Sequence, residues 1–204
     1  MNTSLKTNKM IKVGITGGIG SGKSTVCKVF RVIGIPVFEA DVVAKQLMNS
    51  EIIIREQLIN VFGSSVYLPD QTIDRKFLSG MVFNNPSLLE QLNAIVHPVV
   101  RKTFADWCQK QQSPYIIHEA AILFESGFYK MMDKTITVVT DETERIDRVM
   151  KRNGITEEQV RQRIQNQWTD EQRIKLADYI IGNNDNELII PQILEIDKKI
   201  RANG

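Results

Sequence analysis

The residues with the clearest chemical role form a glycine-rich run near the start of the chain. Residues 17–24 read GGIGSGKS, which matches the G-x-x-x-x-G-K-[ST] pattern of a phosphate-binding loop, or P-loop. The glycines let successive backbone N–H groups face phosphate oxygens, and the positive end of a following helix adds to that field. The alternative is a chance glycine-rich turn, but this run follows a predicted strand and opens a predicted helix. The predicted phosphate-site residues are Gly18, Ile19, Gly20, Ser21, Gly22, Lys23, Ser24 and Thr25.

Two side chains of the loop have specific tasks in this pattern. Lys23 is expected to reach the β- and γ-phosphates of a nucleotide, and the Ser24 hydroxyl is expected to ligate Mg²⁺. The sequence lacks the Asn-Lys-x-Asp segment with which small GTPases read guanine. The apolar run at 115–117 leads to His118-Glu119 and not to the aspartate that is typical of a motor ATPase. Both observations disfavour a GTPase switch and a motor.

Carboxylates follow the second predicted strand. Glu39 and Asp41 come directly after an apolar run at 35–38, and the carboxyl ends of parallel strands are where such folds bind ligands. A carboxylate there can orient or deprotonate an attacking hydroxyl. The structural alternative is an acid that stabilises a helix N-terminus. In a P-loop protein we favour the catalytic role for Asp41.

Arginine is concentrated toward the C-terminal end of the chain. Six of the eleven arginines fall within 29 positions, namely Arg145, Arg148, Arg152, Arg161, Arg163 and Arg173. Guanidinium groups match phosphate geometry, and a mobile helical lid that carries them can close over ATP. Interleaved acids favour a solvated helix face for most of the six. We predict that one or two bind phosphate, with Arg148, Arg152 and Arg163 as the candidates.

Short apolar runs separated by helical segments must position these groups. Five such runs occur, at 11–16, 35–38, 115–117, 134–139 and 178–181. Their alternation with amphipathic segments predicts an α/β fold, in which helices flank a parallel β-sheet core. Residues 51–112 lack a strong strand and are predicted to be a helical insertion. Within it, the apolar spacing favours a helix that starts at Asn85-Pro86 and ends at His97-Pro98.

Composition limits the class of protein. The chain has 204 residues, of which 42% are hydrophobic, and a formal net charge of +2, so neither a disordered chain nor a dedicated nucleic-acid-binding domain is expected. No apolar run approaches the ~18 residues of a membrane span. Cys27 and Cys108 lack metal-site or disulfide spacing, and we interpret them as buried thiols of a reducing compartment. We expect a cytoplasmic single domain at 10–204, a disordered leader at 1–9, and a monomer or weak homo-oligomer.

Longer segments resemble the dephospho-CoA kinase family, the P-loop kinases of the last step of coenzyme A synthesis. The resemblance covers nearly all of the chain from residue 10 to about residue 184. The similar segments are residues 16–25, Glu39-Ala40-Asp41, residues 85–98, residues 121–125, the positions of Arg148, Arg152, Arg163 and Gln167, and residues 177–184. Glu39 and Ala121 depart from an aspartate and a proline in the family pattern. Neither change removes Asp41, Lys23 or the lid arginines, so an active enzyme is expected.

The resemblance implies a reaction and its partners. The γ-phosphoryl group of ATP would pass to the 3′-hydroxyl of dephospho-CoA, giving CoA and ADP, with Mg²⁺ as the cofactor. Asp41 would deprotonate that hydroxyl, and Lys23 and Arg148 would offset charge on the transferring group. The alternative is a nucleoside or nucleoside-monophosphate kinase on the same scaffold.

The resemblance also implies the remaining binding residues. Arg148 and Arg152 would bind ATP, and residues 148–176 would form the lid. His97 and Arg163 would lie on the substrate side, although a structural histidine is the alternative for His97. Glu119 would hold Mg²⁺ together with Ser24, and a plain surface acid is the alternative for Glu119.

Overall fold

The computed structural model describes residues 10–82 and 85–202. The chain divides into two compact units, one made of Met1–Glu39 and Gln111–Gly204 and the other of Ala40–Lys110. The leader predicted at 1–9 lies outside the described residues. The division into a single domain with a helical insertion and a lid stays a prediction.

The first unit contains a five-stranded sheet. Its strands are β1 (Ile11–Gly17), β2 (Val37–Glu39), β3 (Tyr115–Glu119), β4 (Lys134–Val139) and β5 (Tyr179–Gly182). Their order is β2-β3-β1-β4-β5, and every neighbouring pair is parallel. The parallel sheet predicted from the five apolar runs is therefore confirmed, with β1 at its centre.

Helices account for most of the remaining structure. In chain order they are α1 (Lys23–Val32), α2 (Ala40–Ser50), α3 (Ile52–Phe62), α4 (Arg75–Val82), α5 (Pro86–Cys108), α6 (Glu142–Asn153), α7 (Glu157–Gln165), α8 (Asp170–Ile174) and α9 (Ile189–Ala202). Short 3₁₀ segments occur at Ser64–Val66 and Phe128–Met131. None of the helices in the described part of the chain combines the length and apolar character that crossing a bilayer requires.

One face of the sheet packs against α1 and α9. Val13 and Ile15 point to this face from β1, and both are fully buried. They share a core with Phe30 of α1 and with Ile193 and Ile200 of α9. Successive residues are buried in the central strand β1 and in its neighbour β3, as expected where both faces of a parallel sheet are covered, and this is why these strands could be recognised from the sequence.

The end predicted for one helix of the second unit is wrong. The expected start is confirmed, since Asn85 caps α5 by accepting a hydrogen bond from the Leu88 backbone N–H at 3.1 Å. The helix does not end at His97-Pro98 but continues to Cys108. Pro98 lies on the exposed side of α5, where water can satisfy the carbonyl that loses its partner. Buried residues recur every fourth position on both sides of the proline, at Val96, Val100, Phe104 and Cys108, so packing of that face outweighs its cost.

Candidate active site

The glycine loop lies between the central strand and the first helix. β1 ends at Gly17 and α1 begins at Lys23, so the loop occupies the end of the sheet where ligands bind in such folds. Gly20 and Gly22 have φ angles of 82° and 83°, in the left-handed region that favours glycine. A Cβ atom on Gly22 would also collide with the side chain of Asn183. Both glycines are therefore required by the shape of the loop.

Two neighbouring side chains hold the loop by hydrogen bonding to the backbone carbonyl of Ser21. Thr140 Oγ1 donates to this oxygen at 3.1 Å, and Asn183 Nδ2 donates to it at 2.8 Å. The Ser21 N–H closes a turn by donating to the Gly18 carbonyl at 3.0 Å. Thr140 follows β4 and Asn183 follows β5, so two strand ends of the sheet anchor the loop.

The middle of the loop is bound by two residues from the C-terminal half of the chain. Arg145 Nε donates to the Ile19 carbonyl at 2.9 Å, and the Ile19 N–H donates to Gln167 Oε1 at 2.8 Å. Arg145 is only 5% exposed, and its guanidinium also bonds to Asp170 Oδ2 at 3.1 Å. Ile19 itself packs beside the small apolar core around Val149 of α6.

Arg145 and Arg173 correct the interpretation of the arginine-rich segment. Both belong to the six arginines for which the sequence favours a mostly solvated face, yet both are buried, and Arg173 is fully so. Arg173 bonds to Asp170 Oδ1 at 3.0 Å and to Glu125 Oε1 at 3.4 Å. Asp170 lies 25 positions after Arg145, which is outside any helical spacing, so no sequence pattern pointed to this buried network.

The predicted catalytic lysine forms an ion pair with a predicted metal ligand. Lys23 Nζ contacts Glu119 Oε1, and their side chains are 12% and 8% exposed. Glu119 is the last residue of β3 and lies in register with Ile15 of the central strand. The plain surface acid considered for Glu119 is therefore wrong, because the side chain is buried and paired.

The side chains near the glycine loop can be compared with the ligands that Mg²⁺ requires. Across residues 10–82 and 85–202, no three His, Cys, Asp or Glu side chains are grouped so as to hold a metal ion. Mg²⁺ in kinases takes only one or two protein oxygens and completes its shell with phosphate and water. The exposed Ser24 hydroxyl and the Glu119 carboxylate are hard oxygen donors of this kind, so they fit the ion.

The carboxylates after β2 lie in different environments. In the first unit, Glu39 at the end of β2 forms an ion pair with Arg31 at 2.9 Å. In the second unit, Asp41 lies in the first turn of α2 and is close enough to raise the pKa of His97. Burial and the charge of Arg101 outweigh that effect and lower the pKa of His97 below its ordinary value. The structure therefore brings Asp41 and a neutral His97 together, as two residues predicted to bind the substrate.

The three arginines predicted to bind phosphate differ in their contacts. Arg148 bonds to Glu144 at 2.9 Å, to Asp185 at 2.7 Å and to the Asn183 carbonyl at 2.9 Å. Arg148 therefore lies next to Asn183, which anchors the glycine loop. Arg152 donates to Asn153 in its own helix, and Arg163 is exposed on α7. Their roles toward ATP and the substrate stay predictions.

A parallel sheet whose central strand runs into this loop, with a lysine at the start of the next helix, defines a P-loop nucleotide-binding protein. A family model described as CoaE, dephospho-CoA kinase, matches residues 11–188. The chain therefore belongs to the dephospho-CoA kinase family.

Individual relatives agree with this assignment. A dephospho-CoA kinase from Porphyromonas gingivalis is 38% identical over 194 residues, which is 95% of this chain and 96% of that protein. A crystal structure of a Thermus thermophilus protein superposes with a TM-score of 0.85 at 32% identity and covers 93% of this chain and 97% of that chain. A dephospho-CoA kinase from Campylobacter jejuni superposes with a TM-score of 0.68 at 25% identity and covers 94% and 98%. The predicted family and fold class are confirmed.

Proposed function

We propose that this chain transfers the γ-phosphoryl group of ATP to the 3′-hydroxyl of dephospho-CoA, giving CoA and ADP. The observation that carries the proposal is the dephospho-CoA kinase family match over residues 11–188, which includes the whole glycine loop. As an ATP-dependent transferase acting on an alcohol group, the enzyme performs the last step of coenzyme A biosynthesis. The nucleoside kinase alternative is not favoured, because the curated relatives are named dephospho-CoA kinases.

The glycine loop and Lys23 bind the ATP phosphates in this proposal. Residues 18–25 supply the N–H groups and the positive end of α1. The Lys23 ammonium is already held at the loop by Glu119, and phosphate oxygens compete with that carboxylate for its donors. Lys23 thereby offsets negative charge on the group that is transferred.

Asp41 is the proposed general base for the substrate hydroxyl. Its neighbour His97 is half-buried, and its lowered pKa keeps the ring neutral at pH 7. A neutral imidazole does not form an ion pair with the Asp41 carboxylate, which is the group proposed to take the hydroxyl proton. Arg148 and Arg152 would bind ATP from the lid, and Arg163 would bind the substrate side.

Mg²⁺ is the proposed cofactor, and Ser24 and Glu119 are the residues that would hold it. When bound, the ion supplies positive charge that neutralises the phosphate oxygens. The Glu119 carboxylate would then interact with both Lys23 and the Mg²⁺ ion. We further propose a cytoplasmic enzyme that is a monomer or weak homo-oligomer and acts without nucleic acid or membrane partners.

A coupled assay tests the reaction. With ATP, Mg²⁺ and dephospho-CoA, ADP and CoA should form in equal amounts, and a panel of nucleosides and nucleoside monophosphates should react much more slowly. Faster turnover of any member of that panel would reverse the assignment.

Replacing the proposed base tests its role. Asp41→Asn should lower kcat by about 10²–10⁴, the range for losing a general base. Asp106→Asn is the matched control, because Asp106 is an exposed carboxylate of α5 that pairs with Lys102. Full turnover by the Asp41 variant would exclude Asp41 as the base.

A further inference from the structure

The orientation of one peptide group in the glycine loop depends on Arg145. Its Nε atom donates to the Ile19 carbonyl at 2.9 Å, so that oxygen points toward α6. In a trans peptide the C=O and the next N–H point in opposite directions, and the described residues contain no cis peptide bond. The N–H of Gly20 therefore points away from Arg145, toward the side on which such loops hold an anion.

The loop is shaped to accommodate this arginine. A Cβ atom on Gly18 would collide with the Arg145 guanidinium, and one on Gly20 would lie 2.6 Å from the Arg145 backbone oxygen. Glycine at both positions thus leaves room for Arg145 to pack directly against the backbone of the loop. The contact is close-packed as well as hydrogen-bonded, which limits rotation of the Ile19–Gly20 peptide.

The charge of this buried arginine is balanced from a neighbouring helix. Its side chain is 6% exposed, and a buried guanidinium is costly unless it is paired. Asp170, at the start of α8, supplies the pair at 3.1 Å and also bonds to Arg173 at 3.0 Å. Arg173 in turn reaches Glu125 at 3.4 Å. The hydrogen bond from Arg145 to the Ile19 carbonyl therefore depends on Asp170, which lies within the predicted lid at 148–176.

We propose that Arg145 is a positioning residue for nucleotide binding. It fixes the Ile19–Gly20 peptide so that the Gly20 N–H is presented to a phosphate oxygen, and Asp170 makes this orientation depend on the lid segment. Arg145 does this without touching the nucleotide itself. The inference rests on the proposed function in one respect only, since it assumes that the loop binds the phosphates of a nucleotide.

ADP binding measured by calorimetry tests the inference without requiring turnover. Arg145→Met keeps an unbranched side chain that can pack in place of the arginine stem, but it removes the guanidinium with its charge and donors. It should weaken ADP binding about tenfold, the effect of losing one charge-assisted hydrogen bond. Arg145→Lys keeps a charge and a donor, so it should recover part of that loss. Arg161→Gln, which removes an exposed arginine of α7, should bind ADP like the unmodified chain.

Steady-state kinetics separate positioning from general instability. Arg145→Met should raise KM for ATP about tenfold while KM for dephospho-CoA changes less than about twofold. A folded Arg145→Met protein with unchanged ADP affinity would overturn the inference. So would activity that falls only in proportion to the folded fraction, with both KM values unchanged.

A second variant carries the test if Arg145→Met does not fold. Asp170→Asn leaves the Arg145 to Ile19 hydrogen bond but removes the balancing charge, and it should also weaken ADP binding by about threefold to tenfold. Normal ADP affinity in both Asp170→Asn and Arg145→Lys would overturn the inference. If the unmodified chain binds ADP but does not phosphorylate dephospho-CoA, the proposed function fails while the role of Arg145 is still decided by ADP affinity.

Discussion

His118 illustrates how a residue with reactive chemistry becomes a structural one. It is 1% exposed, and its ring stacks between Phe38, at a centroid distance of 5.5 Å, and Phe128, at 4.3 Å. Burial lowers the pKa of His118 from its ordinary value to about 4, and the charge of Lys23 acts in the same direction. The ring is therefore neutral in the folded protein at every pH above about 4.

This shift predicts how stability responds to acid. Between pH 6.5 and pH 4 the unfolded chain binds a proton at His118 that the folded chain does not, so the free energy of unfolding falls as pH falls. The loss between pH 7 and pH 5 should be about 2 kcal/mol. Urea unfolding at both pH values measures it, and His118→Phe should remove this part of the pH dependence. An identical pH dependence in the variant would contradict the assignment.

The cysteines should be unreactive in the folded protein. Cys27 is 1% exposed, and burial raises the pKa of its thiol to about 12 despite the nearby charges of Lys23 and Arg31. The thiolate fraction at pH 8 is therefore about a thousandfold smaller than for a free thiol. Iodoacetamide followed by mass spectrometry should label neither Cys27 nor the buried Cys108 natively, and should label both in urea. Rapid native labelling of Cys27 would contradict its burial.

At the scale of elements, α5 shows how packing can outweigh a helix-breaking residue. Its 23 residues include Pro98, yet the face with Val96, Val100 and Phe104 stays buried along its length. The start of this helix depends on a single side chain, because Asn85 satisfies a backbone N–H that has no partner within the helix. The Asn85 cap therefore sets where α5 begins, and burial of one face sets how far it continues.

The cap of α5 can be tested directly. Asn85→Ala removes the acceptor for the Leu88 N–H and should lower the free energy of unfolding by about 1 kcal/mol. Asn85→Asp keeps an oxygen in the same place and should stay within a few tenths of a kcal/mol of the unmodified chain. Urea unfolding compares the three proteins, and equal stability of the alanine variant would show that the cap contributes little.

The elements that were predicted well are those with local signals. β4 matches its apolar run at both ends, and α1 begins where the glycine loop stops, because burial and loop chemistry act within a few residues. The network that connects Arg145, Asp170 and Arg173 had no such signal. Those side chains meet only through tertiary packing, and a run of interleaved charges looks the same whether its arginines are solvated or buried. The glycine loop was therefore predictable from the sequence, whereas the buried network of Arg145, Asp170 and Arg173 beside it was not.

At the scale of the whole molecule, the two compact units each have their own buried residues. The first unit has the sheet core around Val13 and Phe30, and Leu58, Val100 and Phe104 are buried residues of the second. Each unit also contains one of the two tryptophans, Trp168 in the first and Trp107 in the second. The fluorescence of each tryptophan therefore reports on one unit.

Nucleotide should stabilise the unit that carries the glycine loop. ADP at about 100 times its dissociation constant should add about 2.7 kcal/mol to the free energy of unfolding of the first unit. In a Trp107→Phe protein, ADP should raise the melting midpoint that Trp168 reports. In a Trp168→Phe protein, the midpoint reported by Trp107 should rise less. Equal shifts would show that the two units unfold as one cooperative block.

The position of β1 at the centre of the sheet has a consequence for synthesis. Ile11 pairs with Tyr115, and Val13 pairs with Lys134, so β1 has its partner strands more than 100 residues later in the chain. At about 5–20 residues per second, a ribosome needs roughly 5–20 seconds to make that length. During that interval β1 has neither of its partner strands to pair with, so the nascent chain must keep it from aggregating. The strand that later supports the glycine loop is therefore translated well before the two strands that flank it in the sheet.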